Sequence, residues 1–216
     1  MTAHIIVSSY KKNIYWTLRL LKEKLVDHVY IYEHSELKLD DMIPGYTYEN
    51  IPNKSCEASA YLKYICDYYY NLPDKIILVH DEEYSWHHSG SIIDHIKGYN
   101  GETYVNINHY RWGNDVHPFH PGGDYYEFYK MFLEPYYGAV EEYGNFHEGH
   151  LGCAQFILRP AAITRNSLKF YQDLYNYSVS DKVKDGHVSG GFGYFMEYTW
   201  HLIFGCIEKC TPIISP

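Results

Sequence analysis

The sequence predicts an α/β domain: a mostly parallel, Rossmann-like sheet flanked by helices on both faces. Three observations predict it. Strand-length apolar runs alternate with amphipathic helical ones, the pattern of βα units around a parallel sheet. The run Lys75-Ile76-Ile77-Leu78-Val79-His80 is apolar on successive residues, as in a strand covered on both sides. That run stops in the acids Asp81-Glu82-Glu83, where open α/β sheets place their ligands, at the carboxyl ends of strands.

Taken in order, His4 to Ser9 reads as a first buried strand ending in small polar residues. A helix is expected from about Ile14 to Leu25, with Leu18, Leu21 and Leu25 as its core stripe and Lys22 and Lys24 outward. His28 to Tyr32 is a second strand, and Tyr46 to Ile51 a third after the Pro44-Gly45 turn signal. Ala58, Tyr61, Leu62 and Ile65 recur at helical spacing, and Leu72-Pro73 closes that segment. Beyond the acids come a helix from about Ser91 to Ile96 and a short strand from Thr103 to Asn108. A Gly/Pro/His-rich loop follows from Gly113 to Gly123. Tyr125, Phe128, Tyr129 and Phe132 mark another helix, Cys153 to Leu158 a further strand, and Ser167 to Tyr177 a helix. A final helix is expected from about Gly193 to Cys206. No repeat or linker interrupts the chain, and 216 residues fit a single domain spanning 1–216.

Composition narrows the function. A net charge of −9 argues against a nucleic-acid or anionic-membrane binder, which needs a basic face. No apolar stretch is long enough to span a bilayer, and the opening residues carry no signal-peptide pattern. The five cysteines show no disulfide spacing, which fits reduced thiols in a cytoplasmic protein. The 26 tyrosines suit half-buried surfaces and ligands with apolar faces, sugars included, although most are expected to fill helix–sheet contacts.

The acids after the central strand carry the first chemical hypothesis. Carboxylates crowded at one rim repel unless they share a cation, and oxygen ligands suit Mn²⁺ or Mg²⁺. Asp81 and Glu83 are the expected metal pair, clamping an ion against a diphosphate leaving group. The plainer reading has one acid capping the next helix and the rest solvated. His80, His87 and His88 make a zinc hydrolase a rival, but no helical H-E-x-x-H pair is present. Ser8, Ser9 and Tyr10 end the first strand, where a nucleotide pocket would lie, with Tyr10 free to stack on a base. Neither a G-x-G-x-x-G nor a P-loop motif is present. Before the second helix, Ser55 reads as its N-cap, and Asn53 and Glu57 as ligand-binding candidates. Glu197 and His201, at i and i+4, form a candidate acid/base pair, with Glu148 and His150 as the second.

Several of these stretches together resemble one family. They are Val7-Ser8-Ser9-Tyr10 leading to Trp16, Tyr32, Ile51-Pro52-Asn53 with Glu57, Tyr61-Leu62, and Tyr69 through Asp74. They continue with His80, Ser85-Trp86-His87, Gln155-Phe156 and Glu197-x-x-Trp200-His201-x-x-Phe204-Gly205. The ensemble resembles an uncharacterised domain family of fungi and large algal viruses, whose viral members include small chlorella-virus glycosyltransferases of GT-A fold. The resemblance implies a GT-A-like sheet and a transferase moving a hexose or deoxyhexose from a UDP-sugar donor to a glycan acceptor, with Mn²⁺ on a D-x-D-like motif at Asp81–Glu83. It implies that the Ser8–Tyr10 loop and Glu33 border uridine, and that Gln155 and its strand lie beside the donor sugar. For a viral protein it implies the host cytoplasm. Family members often carry Arg where Ser9 and Cys56 stand here. A metal-dependent phosphoester or sugar-nucleotide hydrolase and a non-catalytic carbohydrate-binding domain remain the alternatives.

Overall fold

The structure is a computed structural model and describes residues 1–37, 43–109, 124–138, 152–183 and 191–205. Six strands form one mixed, mostly parallel sheet in the order β3-β2-β1-β4-β6-β5. They are β1 (Ala3–Ser9), β2 (His28–Glu33), β3 (Tyr46–Asn50), β4 (Lys75–His80), β5 (Tyr104–Asn106) and β6 (Phe156–Leu158). β1 pairs in parallel with both β2 and β4, and β2 with β3. β6 runs antiparallel to β4 on one side and to β5 on the other. The chain thus steps outward from β1 to β2 and β3, then returns past β1 to lay down β4. That reversal makes the β1–β4 boundary the switch point of the sheet.

The period-2 geometry of strands sends alternate residues to opposite faces. Ile5, Val7, Val29, Ile31, Ile77, Val79 and Ile157 face one core, closed by Leu20 of α1 (Trp16–Lys22) and by Ile92, Ile93 and Ile96 of α3 (Ile92–Gly98). Ile6, Tyr30, Tyr32, Ile76, Leu78, Phe156 and Leu158 face a second, larger core. It is covered by α2 (Glu57–Tyr68), α4 (Asp124–Phe132), α5 (Glu134–Tyr137), α6 (Pro160–Thr164), α7 (Leu168–Ser178), α8 (Phe192–Glu197) and α9 (Trp200–Phe204). Many of the tyrosines fill this second core. Tyr61, Tyr64, Tyr129 and Tyr171 are buried, and Tyr61 and Tyr171 donate their hydroxyls to the carbonyls of Ala154 and Ile163.

Four local expectations change. α1 is shorter than its apolar pattern suggests, and Thr17 and Leu20 point inward while Leu18 is 38% exposed. Lys24 takes a left-handed φ of 56°, which ends the helix before Leu25. Ser55 does not cap α2. It sits at φ 61°, its hydroxyl donates to the Ser178 carbonyl at 2.7 Å, and Cys56 stands at the N-cap position without a side-chain cap bond. β6 begins at Phe156 rather than Cys153, because Cys153 is at φ 62°. The last expected helix is two, α8 and α9. Thr199 breaks it by turning its hydroxyl back to the Phe195 carbonyl at 2.7 Å, a local bond that competes with the helix ladder. The Gly113–Gly123 loop lies outside the described residues. Among the described residues, no helix is long and apolar enough to cross a membrane.

Candidate active site

A cleft of about 400 Å³ opens at the carboxyl ends of β1, β2 and β4, directly over the switch point. Ser8, Ser9 and Tyr10 come to it from β1, His34 from β2, and His80, Asp81 and Glu82 from β4. Asn53, Cys56 and Glu57 come from the start of α2, and His87 from the loop after the acids. The sheet supplies this convergence: parallel strands end at one edge, so residues distant in sequence meet there. Among the described residues lining the cleft there is no lysine or arginine.

The floor is built around Glu57 and His80. Glu57 is 7% exposed, in the first turn of α2. Its Oε1 has no hydrogen-bond partner among the described residues, and neither has Nε2 of His80. His80 Nε2 lies 3.9 Å from Glu57 Oε2, within electrostatic reach but too far to bond. Burial pushes His80 down to about 3, with His87 and His88 adding to the effect, so the imidazole is neutral at physiological pH. Burial raises the Glu57 carboxyl well above its usual range, and the nearby charge of Glu197 raises it further. Glu197 is itself pushed up to about 7 by burial. Two carboxyls so placed resist ionising together, and the pair retains a proton near neutrality.

The backbone under this pair is strained on both sides. Ser55, Cys56 and Cys153 all have positive φ, of 61°, 50° and 62°, which L-residues adopt at a cost. Burial raises the Cys56 thiol and pushes Cys153 up to about 12, with the two glutamates adding to both shifts. Neither cysteine is an activated nucleophile.

The rim carries the acids, and the three diverge. Asp81 lines the cleft and accepts the Tyr10 amide at 2.9 Å, while its backbone carbonyl takes Trp16 Nε1 at 2.9 Å. Burial raises its carboxyl, and the Tyr10 amide pulls it back. Glu82 also lines the cleft, bridged to Lys12 at 2.8 Å. Glu83 points the other way: it accepts the Ser91 hydroxyl at 2.5 Å and lies 3.6 Å from Arg19. Its neighbour Ser91 caps α3 by accepting from Ile93 N. The expected Asp81/Glu83 pair is therefore not brought together, and Asp81 and Glu82 are.

The other candidates fall in two groups. Ser8, Ser9, Tyr10, Asn53 and Glu57 all line the cleft. Glu33 and Gln155 stand behind it. Glu33 is buried and accepts from Ser9 Oγ, Lys11 N and Ser35 N, and so shapes the loop after β1. Gln155 is buried, accepts from His80 N at 3.3 Å and donates to Asn108 Oδ1, and so fixes the end of β4. Glu197 reaches the site electrically, through Glu57. Glu148 and His150 lie outside the described residues. His34 and Cys56 line the cleft and were not among the site candidates; His80 and His87, weighed above as zinc ligands, and Glu82, inside the D-x-D-like stretch, line it too. His34 bonds Pro52 O through Nδ1, so Nε2 accepts the Ser8 hydroxyl at 3.1 Å. Its position just past β2 was the signal available for it.

A family model described as a protein of unknown function, DUF3431, matches residues 5–106 and 127–213. The chain belongs to the DUF3431 family. No curated protein matches it. The matched segments of this DUF3431 protein contain every described residue lining the cleft.

Among the described residues, no three His, Cys, Asp or Glu side chains are grouped so as to hold a metal. Asp81 and Glu82 offer carboxylate oxygen, which suits a hard cation completed by ligand phosphates and water.

Proposed function

We propose that this DUF3431 protein is a metal-dependent glycosyltransferase that moves a hexose or deoxyhexose from a UDP-sugar to a glycan hydroxyl. The observation that carries the reading is the cleft at the switch point. It pairs acids with no lining lysine or arginine at the rim and a neutral, polar floor under it. A diphosphate beside Asp81 and Glu82 meets like charge that the single ammonium of Lys12, bridged to Glu82, offsets only in part. Ser9 and Cys56, where arginine often stands in the resembling family, both line this cleft and supply no charge. That makes a divalent ion the natural neutraliser here.

Asp81, with Glu82, would hold Mn²⁺ or Mg²⁺, which supplies charge neutralisation to the departing diphosphate. Tyr10, 48% exposed at the mouth, offers a face for the uracil ring. Ser8 and Asn53 offer hydrogen bonds to ribose or sugar. Trp86, 68% exposed and tilted against His87 with centroids 3.8 Å apart, extends the wall where a glycan would lie. For an inverting transfer the base is the Glu57–Glu197 pair. Its carboxyl near neutrality is tuned for proton uptake, and Glu57 is the member that faces the ligand. The reading places the reaction in the cytoplasm, with Cys56, Cys66 and Cys153 outside any disulfide.

Thermal shift with UDP, with and without Mn²⁺, tests the reading, because a ligand that binds only the folded state raises its stability. Metal-dependent stabilisation by UDP is expected, and no response to any uridine nucleotide would remove the proposal. Product analysis with a UDP-sugar then separates transfer from hydrolysis: free sugar, without glycan product, favours the hydrolase.

A further inference from the structure

Two polar atoms are buried without partners among the described residues, on side chains that both line the cleft. One is Glu57 Oε1, on a side chain 7% exposed. The other is His80 Nε2, with Glu57 Oε2 3.9 Å away. A buried carboxyl oxygen without a hydrogen bond costs free energy, and so does a buried imidazole nitrogen. A direct contact between the two side chains would relieve both, yet the structure holds them apart. Glu57 is fixed by the turn at Ser55–Cys56, itself tied to Ser178 and packed under Gly193. His80 is fixed by the end of β4 and by Gln155, which accepts its backbone N–H.

We infer that Glu57 and His80 form a hydroxyl seat, bridged by an O–H group of a neutral sugar ring. A hydroxyl both donates and accepts, so one such group between the two atoms satisfies both. A phosphate oxygen cannot donate, and the negative charge that Glu57 and Glu197 share disfavours an anion there. The ring face of the sugar has an aromatic wall to lie against: His87 stands edge-on to His80 at 4.9 Å, and Trp86 continues it outward. The inference rests on the transferase reading for the identity of the ligand. The sugar has two sources, the donor and the acceptor glycan, and the same chemistry recognises either.

The test measures binding to the full chain and to two variants, Glu57→Gln and His80→Phe. The probes are UDP, UDP-glucose and a methyl glucoside, each with Mn²⁺, by calorimetry or ligand-observed NMR. Glu57→Gln keeps the shape and removes the titratable carboxyl. It is expected to melt no lower than the parent, because it takes away a buried, unpaired carboxyl. Loss of the carboxyl's hydrogen bond predicts roughly tenfold weaker sugar binding. A donor seat shows as weaker binding of UDP-glucose with UDP unchanged. An acceptor seat shows as loss of the methyl glucoside with both nucleotides unchanged. Equal weakening of UDP and UDP-glucose, or sugar binding that survives both variants, overturns the inference and leaves the transferase reading standing. Glucoside binding that depends on Glu57 in a protein that ignores UDP keeps the seat and removes the nucleotide. Binding of no probe by the parent removes both. Should Glu57→Gln fail to fold, His80→Phe decides by the same comparisons.

Discussion

Gly193 packs so closely over Ser55 that a Cβ at Gly193 would stand 2.7 Å from the Ser55 carbonyl oxygen and 2.9 Å from its carbon. The atoms met are backbone, so a side chain there cannot be accommodated by a rotamer change. This contact presses the first residues of α8 onto the turn that carries Glu57 into the cleft. Gly193→Ala is expected to cost about 1–3 kcal/mol, the range for overpacking a filled interior. It should also weaken ligand binding beyond that loss, because Glu57 moves with the turn. Chemical denaturation measures the first effect and calorimetry the second. Unchanged stability would mean the turn yields freely, against the packing described.

The carboxyl pair predicts a pH dependence of stability. Glu57 is raised well above its ordinary value of 4.5, and Glu197 from 4.5 to about 7, in the folded chain. From pH 4.5 to about 7 the folded chain therefore holds protons that the unfolded chain has released, and stability from these groups declines as pH rises. His80 and His87, pushed down from 6.5 to about 3 and about 4, act in the opposite sense, withdrawing stability as pH falls below 6.5. His4, His28, His34 and His88 are lowered too and act with them, and as the unfolded histidines lose their protons above 6.5 the carboxyls come to dominate. The melting temperature is expected to fall by a few degrees between about pH 6.5 and about pH 8, and Glu197→Gln should flatten that fall. An equally steep decline in the variant would show that the slope comes from elsewhere.

The rim acids should separate by experiment. Asp81→Asn is expected to abolish the Mn²⁺-dependent part of UDP binding, while Glu82→Gln weakens it less, because Glu82 is exposed and shared with Lys12. Glu83→Gln should leave ligand binding intact. Its cost is in the fold, about 1 kcal/mol from the Ser91 hydroxyl and the Arg19 contact. Calorimetry with and without Mn²⁺ distinguishes the three, and metal dependence lost only in Glu83→Gln would reverse the assignment.

Gln155 is expected to act on the site from behind. Gln155→Leu leaves the His80 amide without its side-chain acceptor and takes a partner from Asn108 in a buried setting. A loss of about 1–3 kcal/mol is expected for such unpaired buried groups. Ligand binding should weaken with it, since His80 sits on that amide. Replacement by Glu, protonated in this buried position, should restore part of the stability, and its failure to do so would count against the hydrogen-bond explanation.

The sheet was legible because burial on two faces leaves a plain mark. β4 reads as six residues from Lys75 to His80 in sequence and structure alike. The helices at Ala58–Ile65, Ser91–Ile96 and Ser167–Tyr177 were legible in the sequence, and the structure adds that Ser91 and Ser167 cap the last two. Ser55 misled because the same residue type that caps helices also bonds carbonyls, and here the Ser178 carbonyl took it. The final helix misled because Thr199 satisfies the helical spacing while its hydroxyl undoes the helix ladder.

What the amino-acid order determined by itself was local: which segments are strands and helices, which faces are apolar, and that acids crowd the end of the central strand. The tertiary structure alone decided which of those acids share a cleft and which one bonds the serine that caps a helix. It alone brought Glu57 beside Glu197 and opposite His80, across 140 and 23 positions of chain, the separations read from their numbers. The physical reason is that strand and helix preferences depend on neighbours a few residues away. Orientation in a loop and the protonation of a buried carboxyl depend on whatever the fold packs against them.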